Sequence, residues 1–196
     1  MKSLILATII NGWLMPKGQY TEIFNLWSFQ GRNYNQCSGV LINKYEILTA
    51  AHCLFPNMEV KFNHLEHEHI ADCKVHDYLD LAICTIDAPI PGPYATIAKS
   101  GPSIFEDVML TGYGCTHPAS WPDYRLRYGY APVKDFFDEY FVTISDTALC
   151  FGDSGGPAYR IGTHEVIGIN SRGDVRTRSL MVKTWEPEVR DWILNK

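Results

Sequence analysis

The sequence of 196 residues contains no apolar run long enough to cross a bilayer, no block of basic residues, no internal repeat and no low-complexity tract. A membrane-spanning helix would need about 20 predominantly apolar residues. With a net charge of −5, the chain offers no electrostatic reason to expect a nucleic acid or a membrane as partner. Apolar residues make up 46% and charged residues 20%, which is typical of a globular protein rather than a disordered one.

The cysteines never occur as Cys-x-x-Cys, the spacing typical of zinc and redox sites. They are even in number and spread along the chain, at Cys37, Cys53, Cys73, Cys84, Cys115 and Cys150. A set of disulfides is therefore the favoured interpretation, and it predicts a secreted or extracytoplasmic protein. We expect no metal and no cofactor. His67 and His69 would share one face of a strand, but no third ligand is evident, so a solvated strand is preferred to a zinc site.

Turn-forming residues divide the chain into many short β-rich segments, a pattern typical of an all-β barrel or sandwich. Only the end of the chain predicts a helix, because Pro187 suits a first turn and Val189, Trp192 and Ile193 fall on one face. A connector rich in proline, 87–94, separates the two halves. The predicted units are an N-terminal barrel at 9–86, a C-terminal barrel at 95–183 and a helix at 184–196.

One serine stands among small residues in the segment LCFGDSGGPAY, residues 149–159. Such residues are common in turns, but they also let backbone N–H groups approach a reacting carbonyl. A nucleophilic Ser154 would need a base, and His52 in LTAAHC could supply it. Asp80 in YLDLAI could hold the other nitrogen of that imidazole. Asp77 is a rival for this role, and Asp80 is preferred because it leads directly into a predicted strand.

These segments resemble the catalytic signatures of the chymotrypsin-like, or trypsin-like, serine proteases. The three signatures follow each other along the chain in the same order as in that family, as LTAAHC, DLAI and GDSGGP. Further family segments are resembled by CSGVLI, LTGYG, VIGINSRG and VRDWI. The resemblance implies two antiparallel β-barrels with the active site between them and a short C-terminal helix. It also implies a serine endopeptidase with the triad His52, Asp80 and Ser154. The backbone N–H groups of Gly152 and Ser154 would form the oxyanion hole.

The family likeness also implies how the enzyme is activated. IING at 9–12 resembles a mature N-terminus, so that residues 1–8 would be a propeptide remnant and the ammonium of Ile9 would pair with Asp153. The alternative is that residues 1–15 are a first strand or a leader; in that case Asp153 needs another partner, and an arginine would serve. Asn11 and Gly12 interrupt the apolar start, and no Ala-x-Ala cleavage site follows it.

The disulfides and the substrate pocket follow from the same resemblance. It implies a bond between Cys37 and Cys53. The family often joins the position of Cys150 to a later cysteine, but no cysteine follows position 150 here. The hypothesis is that Cys150 pairs instead with Cys115, because their segments would both flank the oxyanion hole, and that Cys73 and Cys84 form a cross-strand pair beside Asp80. The substrate-binding residues would be Ala148, Leu149, Phe151, Ser171, Arg172 and Gly173.

Specificity rests on the position at the base of the primary pocket, which is Ala148. It carries no carboxylate, so an apolar residue before the cut is the preferred prediction. Arg172, Arg176 and Arg178 could instead select acidic or polar residues.

Two other functions compete with this interpretation. GDSGG also fits the nucleophile elbow of α/β-hydrolases, but only 42 residues follow Ser154, and that fold needs Asp and His after the serine. A protease-like protein kept for binding, or a locked zymogen, is the remaining alternative. The expected partners of an active enzyme are a protein or peptide substrate, a proteinaceous inhibitor and an activating protease. The chain is expected to be a monomer.

Overall fold

The computed structural model describes residues 9–55, 59–64 and 67–195, with the backbone alone for 59–64 and 67–70. The elements in this part of the chain are β1 Trp13–Leu14, β2 Ile23–Gln30, β3 Asn33–Asn43, β4 Glu46–Thr49, a 3₁₀ turn Ala51–Cys53, β5 Glu59–His64, β6 His67–Val75, β7 Ala82–Ile86, β8 Thr96–Ile97, β9 Asp107–Gly112, β10 Arg127–Phe136, β11 Tyr140–Ile144, β12 Pro157–Arg160, β13 Glu165–Gly173, β14 Arg178–Lys183 and α1 Pro187–Leu194. His67 and His69 lie on β6, but their side chains are outside the described part, so the strand-face prediction for them is untested.

Strands β2 to β7 close into the first barrel, in the order β2-β3-β4-β7-β6-β5. Every pairing in it is antiparallel. Its interior is filled by aliphatic and aromatic side chains such as Phe24, Leu26 and Leu48, all fully buried. Closure leaves no unpaired edge, so that the strands hold the residues at their ends in a fixed register.

The second barrel contains strands β9 to β14. Strand β9 pairs with both β12 and β10, which brings the sheet round on itself. Along β10, Gly129, Ala131 and Val133 are buried and alternate with more exposed neighbours, as a strand with one face in a core requires. The predicted all-β fold of two barrels with a short C-terminal helix is confirmed.

The two ends of the described chain cross over between the barrels. The sequence pattern assigned residues 9–14 to the first barrel, but β1 pairs with β10, and Ile9 is buried in the core of the second barrel. Conversely, Trp192 of α1 packs against His76, which directly follows β6 of the first barrel. The correction has a physical reason: apolar contacts made in three dimensions decide which core a terminal segment joins, and chain order does not.

Three disulfides join the pairs that were expected, namely Cys37–Cys53, Cys73–Cys84 and Cys115–Cys150. Cys73 and Cys84 stand directly opposite each other on β6 and β7. Among the described residues, no helix has the length and apolar character needed to span a membrane.

Candidate active site

The histidine and the aspartate predicted to act together are neighbours at one end of the first barrel. His52 lies in the 3₁₀ turn after β4, and Asp80 lies just before β7. Strands β4 and β7 pair with Thr49 opposite Ala82, which brings the two residues together. The Nδ1 of His52 is 2.7 Å from Oδ2 of Asp80, and the backbone N–H of His52 donates to Oδ1 at 2.9 Å.

Hydrogen bonds keep Asp80 ionised in spite of its burial. Burial raises the pKa of this carboxyl, but the bonds from His52 and from the Ser171 hydroxyl outweigh it, so the net pKa is lowered. An ionised carboxylate only accepts hydrogen bonds, and therefore Nδ1 of His52 carries the proton. This tautomer leaves Nε2 as an acceptor, which is what a general base needs. The hydroxyl contact of Ser171 was not foreseen, because it joins residues 91 positions apart.

The rival carboxylate occupies a different place. Asp77 is exposed and makes no hydrogen bond to His52 in the described part of the chain. It lies instead on the wall of a cleft beside His76 and Tyr78. The geometry thus favours Asp80 as the partner of His52.

Ser154 is presented on a loop of the second barrel that presses against the first. The backbone N–H of Ser38, on β3, donates to the carbonyl of Ser154 at 2.7 Å. Gly155 has a φ of +79°, and a Cβ there would lie 2.3 Å from the Ser38 carbonyl, so the close approach requires glycine. The hydroxyl of Ser154 donates to the Ser171 carbonyl at 3.4 Å. Ser154 and His52 line the same cleft.

Two backbone N–H groups beside this hydroxyl have no acceptor in the described part of the chain, those of Gly152 and Ser154. The carbonyl of Phe151 accepts from Cys115 N–H at 2.8 Å, and in a trans peptide this turns the Gly152 N–H to the opposite side. The Ser38 hydroxyl holds the Gly152 carbonyl at 2.8 Å. Gly152 itself has a φ of +98°, which other residues rarely adopt.

Asp153 is fully buried beneath this loop. Its two oxygens accept from the N–H groups of Gly114 and Cys150, each at 2.8 Å. Burial raises the pKa of this carboxyl to about 7, although the two N–H donors and the nearby Arg127 favour the charged form. Ile10 bridges to Ala148 two residues before Cys150, so that the segment beginning at Ile9 lies against the same loop.

Two clefts flank His52. The first, which we name the aromatic cleft, has a volume of about 650 Å³ and is lined by Tyr34, Asn35, Gln36, Cys37, His52, Pro118, Ala119, Ser120, Trp121, Pro122, Tyr124, Phe151, Gly152 and Ser154. The second, which we name the charged cleft, measures about 530 Å³ and is lined by His52, His76, Asp77, Tyr78, Leu79, Asp80, Glu139, Tyr140, Ser171 and Arg172.

The residues expected to bind substrate are divided between these places. Phe151 lines the aromatic cleft, while Ser171 and Arg172 line the charged cleft. Ala148 and Leu149 line neither and are buried, and the N–H of Leu149 donates to the Ser179 hydroxyl.

Strands β13 and β14 pair next to Leu149. Gly173 pairs with Ser179, and Asp174 accepts from the N–H groups of Arg176 and Arg178. Arg172 donates to the Tyr140 hydroxyl at 2.8 Å and stacks on its ring. The sequence pattern did not single out Trp121 or the tyrosines of the aromatic cleft, because an isolated aromatic in a loop carries no signal of its own.

Within the described residues, the cluster that could hold an ion is Cys37, His52 and Cys53, and both of its sulfurs are in a disulfide. It therefore offers no thiolate to a metal.

Comparison with known proteins finds similarity to trypsins and to proteins of the same fold. A family model described as Trypsin matches residues 19–193. Trypsin iota of Drosophila melanogaster is 27% identical over 177 aligned residues, with 71% of this chain and 69% of the relative covered. Trypsin of Phaedon cochleariae is 26% identical over 213 aligned residues, with 85% of this chain and 80% of the relative covered.

Two solved structures show the same fold. Neuropsin, a serine protease of mouse brain, superposes with a TM-score of 0.78 at 18% identity, covering 93% of this chain and 96% of its own. A scabies mite inactivated protease paralogue superposes with a TM-score of 0.76 at 18% identity, covering 94% and 99%. Both likenesses concern the fold.

Proposed function

Because the chain belongs to the trypsin family of serine proteases, we propose that it is a serine endopeptidase with Ser154 as nucleophile, His52 as general base and Asp80 as the group that orients the histidine. The observation that carries the proposal is the 2.7 Å contact between Nδ1 of His52 and Oδ2 of Asp80, together with the cleft that His52 and Ser154 both line.

The reaction is acyl transfer through a covalent intermediate. The Oγ of Ser154 attacks the peptide carbonyl as Nε2 of His52 takes its proton, and the same proton then goes to the leaving amine. Water repeats the sequence on the acyl-enzyme and releases the acid. Asp80 stabilises the imidazolium that forms at each stage.

The oxyanion hole in this proposal consists of the N–H groups of Gly152 and Ser154. Both are without an acceptor among the described residues and flank the nucleophilic oxygen. Donors fixed before the reaction stabilise the developing charge without reorganisation, and each is worth about 3 kcal/mol.

Activation by a new N-terminus is part of the proposal. Cleavage between Thr8 and Ile9 would place an ammonium near Asp153, whose burial penalises the charged carboxylate. The burial of Ile9 in the second core supports this arrangement. Arg127, which is buried and acts electrostatically on Asp153, is the alternative partner when the chain is uncut.

Substrates in this proposal are proteins or peptides with an apolar residue before the cut, since Ala148 supplies no carboxylate. The partners are such substrates, an activating protease and a proteinaceous inhibitor, and the site of action is extracytoplasmic. The three disulfides support an oxidising compartment. The predicted domains, 9–86 and 95–183 with the connector 87–94, are retained, apart from the pairing of β1 with the second barrel.

A catalytically silent protein or a locked zymogen is the second candidate. One observation favours it: the Ser154 hydroxyl donates to the Ser171 carbonyl and makes no hydrogen bond to His52 in the described structure. In addition, one of the matching structures is named an inactivated protease.

A serine-directed fluorophosphonate probe distinguishes the two candidates. It should be applied to the full chain and to a chain that begins at Ile9, with Ser154→Ala as the test variant and the exposed Ser103→Ala as the matched control. An active enzyme is labelled in at least one form, and the label is lost only in Ser154→Ala. Absence of labelling in both forms would establish the silent protein instead.

A further inference from the structure

The described residues that line the aromatic cleft are mostly aromatic, apolar or uncharged polar ones. None of its lining residues is Asp, Glu, Lys or Arg, and His52 is its one titratable imidazole. Trp121 is 82% exposed and Phe151 is 64% exposed, although both are large apolar side chains. Aromatic and apolar side chains that line a concave surface with a few polar groups are typical of a binding site.

The wall of this cleft that contains Tyr34 and Tyr124 is held in place before any ligand arrives. The ring of Trp27 lies 5.5 Å from that of Tyr34 and 5.2 Å from that of Tyr124. Next to Tyr124, Asp123 binds the guanidinium of Arg127, which is itself buried. A preformed wall costs less conformational entropy on binding, so aromatic side chains in it favour a specific occupant.

The position of the cleft identifies which part of a substrate reaches it. The charged cleft contains Ser171 and Arg172 of β13, and their segment VIGINSRG resembles the strand along which substrate lies in the family, so we assign this side to the acyl part of the substrate. The aromatic cleft lies on the other side of the catalytic groups, against Gln36 and Cys37 of β3. Only His52 is common to both. A polypeptide that crosses the site therefore enters the aromatic cleft with the residues that follow the cut.

We propose that the aromatic cleft makes the enzyme selective for a large apolar or aromatic residue directly after the scissile bond, with Trp121 and Phe151 as the specificity-determining side chains. This inference rests on the proposed function, and it concerns the leaving-group side of the bond. The apolar preference assigned to Ala148 concerns the opposite side, so that the two can be tested separately.

Acyl transfer to added amines measures binding on the leaving-group side of the scissile bond alone. An ester substrate forms the acyl-enzyme, and an amine then attacks its carbonyl from the leaving-group side. A C–N bond forms, the C–Oγ bond to Ser154 breaks, and the amine proton passes through His52 to the serine oxygen. The ratio of amide product to acid product measures how well each amine occupies the cleft, while total ester turnover measures catalysis.

The experiment compares Phe-Ala-amide, Ala-Ala-amide and Asp-Ala-amide as acceptors at equal concentration. We expect the ratio to be about tenfold higher for the phenylalanine acceptor than for the alanine acceptor, and lowest for the aspartate acceptor. Trp121→Ala should bring the first two ratios close together. Phe105→Ala removes another exposed aromatic, which lies in neither cleft, and should leave the ratios as they are.

The possible failures are distinguishable. Ester turnover with equal ratios for the three acceptors would overturn the selectivity and leave the proposed function standing. Absence of ester turnover in every form of the chain would overturn the proposed function. Saturation-transfer NMR with the same amides would then show whether the aromatic cleft still binds aromatic residues. A stronger signal for Phe-Ala-amide that is lost in Trp121→Ala would support aromatic recognition. Equal signals for the three amides would reject it.

Discussion

The two barrels contribute to the site in different ways. The first barrel places His52 and Asp80 at the ends of paired strands, with the Cys37–Cys53 disulfide next to the histidine. The second presents Ser154 on a loop whose shape depends on glycines, on the Cys115–Cys150 disulfide and on a buried carboxylate, Asp153. The register of paired strands is strongly specified, so the positions of His52 and Asp80 are fixed. The loop with Ser154 depends instead on a buried carboxylate, and the protonation of that carboxylate or its pairing with an ammonium can order or disorder the loop. The nucleophile side is therefore where control of activity is to be expected.

The largest expected effect comes from a change to Asp80, which the paired strands of the first barrel hold beside His52. Asp80→Asn removes the carboxylate that orients His52 and favours the wrong tautomer, so kcat/KM should fall on the order of 10⁴-fold. Asp77→Asn changes the rival carboxylate and should have an effect at least a hundredfold smaller. Steady-state kinetics on a peptide ester measure both. If Asp77→Asn caused the larger loss, the assignment of Asp80 would be wrong.

On the loop that carries Ser154, loss of the oxyanion-hole N–H of Gly152 should lower kcat. Gly152→Ala brings a methyl group to 2.1 Å from Gln36 Oε1 at a φ of +98°, so the oxyanion donor is displaced. We expect kcat to fall by about 10²–10³-fold. Gly162→Ala is the matched control, since its φ is +75° and the space around it is open. Equal losses of kcat in the two variants would indicate a general backbone effect.

Removal of one disulfide at a time sharpens the comparison. Replacement of both cysteines by serine should cost about 4 kcal/mol of unfolding free energy for Cys115–Cys150 and about 3 kcal/mol for Cys73–Cys84, because the longer loop gains more entropy when unfolded. Only the former should also lower kcat/KM at temperatures where both variants are folded. Urea unfolding and ester kinetics measure the two quantities. Equal activity in both variants would show that the nucleophile loop does not need its bond.

The two carboxylates predict opposite dependences of the free energy of unfolding on pH. The folded-state pKa of Asp80 is lowered from 3.8, so its contribution to stability is present above pH 3.8 and is lost as the pH falls through the folded value. The pKa of Asp153 is raised from 3.8 to about 7, so its contribution is present below pH 3.8 and is lost as the pH rises towards 7.

Denaturant unfolding between pH 3 and pH 8 measures both slopes. Asp153→Asn should remove the loss of stability towards neutral pH, and Asp80→Asn should remove the loss towards acid. A chain that begins at Ile9 should resemble Asp153→Asn in this respect, because the ammonium favours the ionised carboxylate. Identical pH profiles for the two lengths of chain would argue that Arg127, and not Ile9, is the partner of Asp153.

The sequence alone predicted the fold class, the family and the Cys37–Cys53 bond, and it offered Cys115–Cys150 and Cys73–Cys84 as hypotheses that the structure confirms. It could do so because short strands alternate with turn residues, and because LTAAHC, DLAI and GDSGGP are segments in which the chemistry restricts almost every position. His52, Asp80 and Ser154 lie inside these segments, so local composition was enough to select them. The structure then placed the first two in contact.

Only the tertiary structure decided what surrounds those residues. The hydroxyl of Ser171 on Asp80, the crossing of the chain ends between barrels and the grouping of Trp121 with Phe151 all join residues far apart in sequence. Ala148 and Leu149, expected to bind substrate, are buried and line neither of the two clefts. Such contacts depend on packing between elements, which the periodicity of a single segment does not encode. Local signatures thus carry the chemistry of this protein, and its specificity follows from the assembled fold.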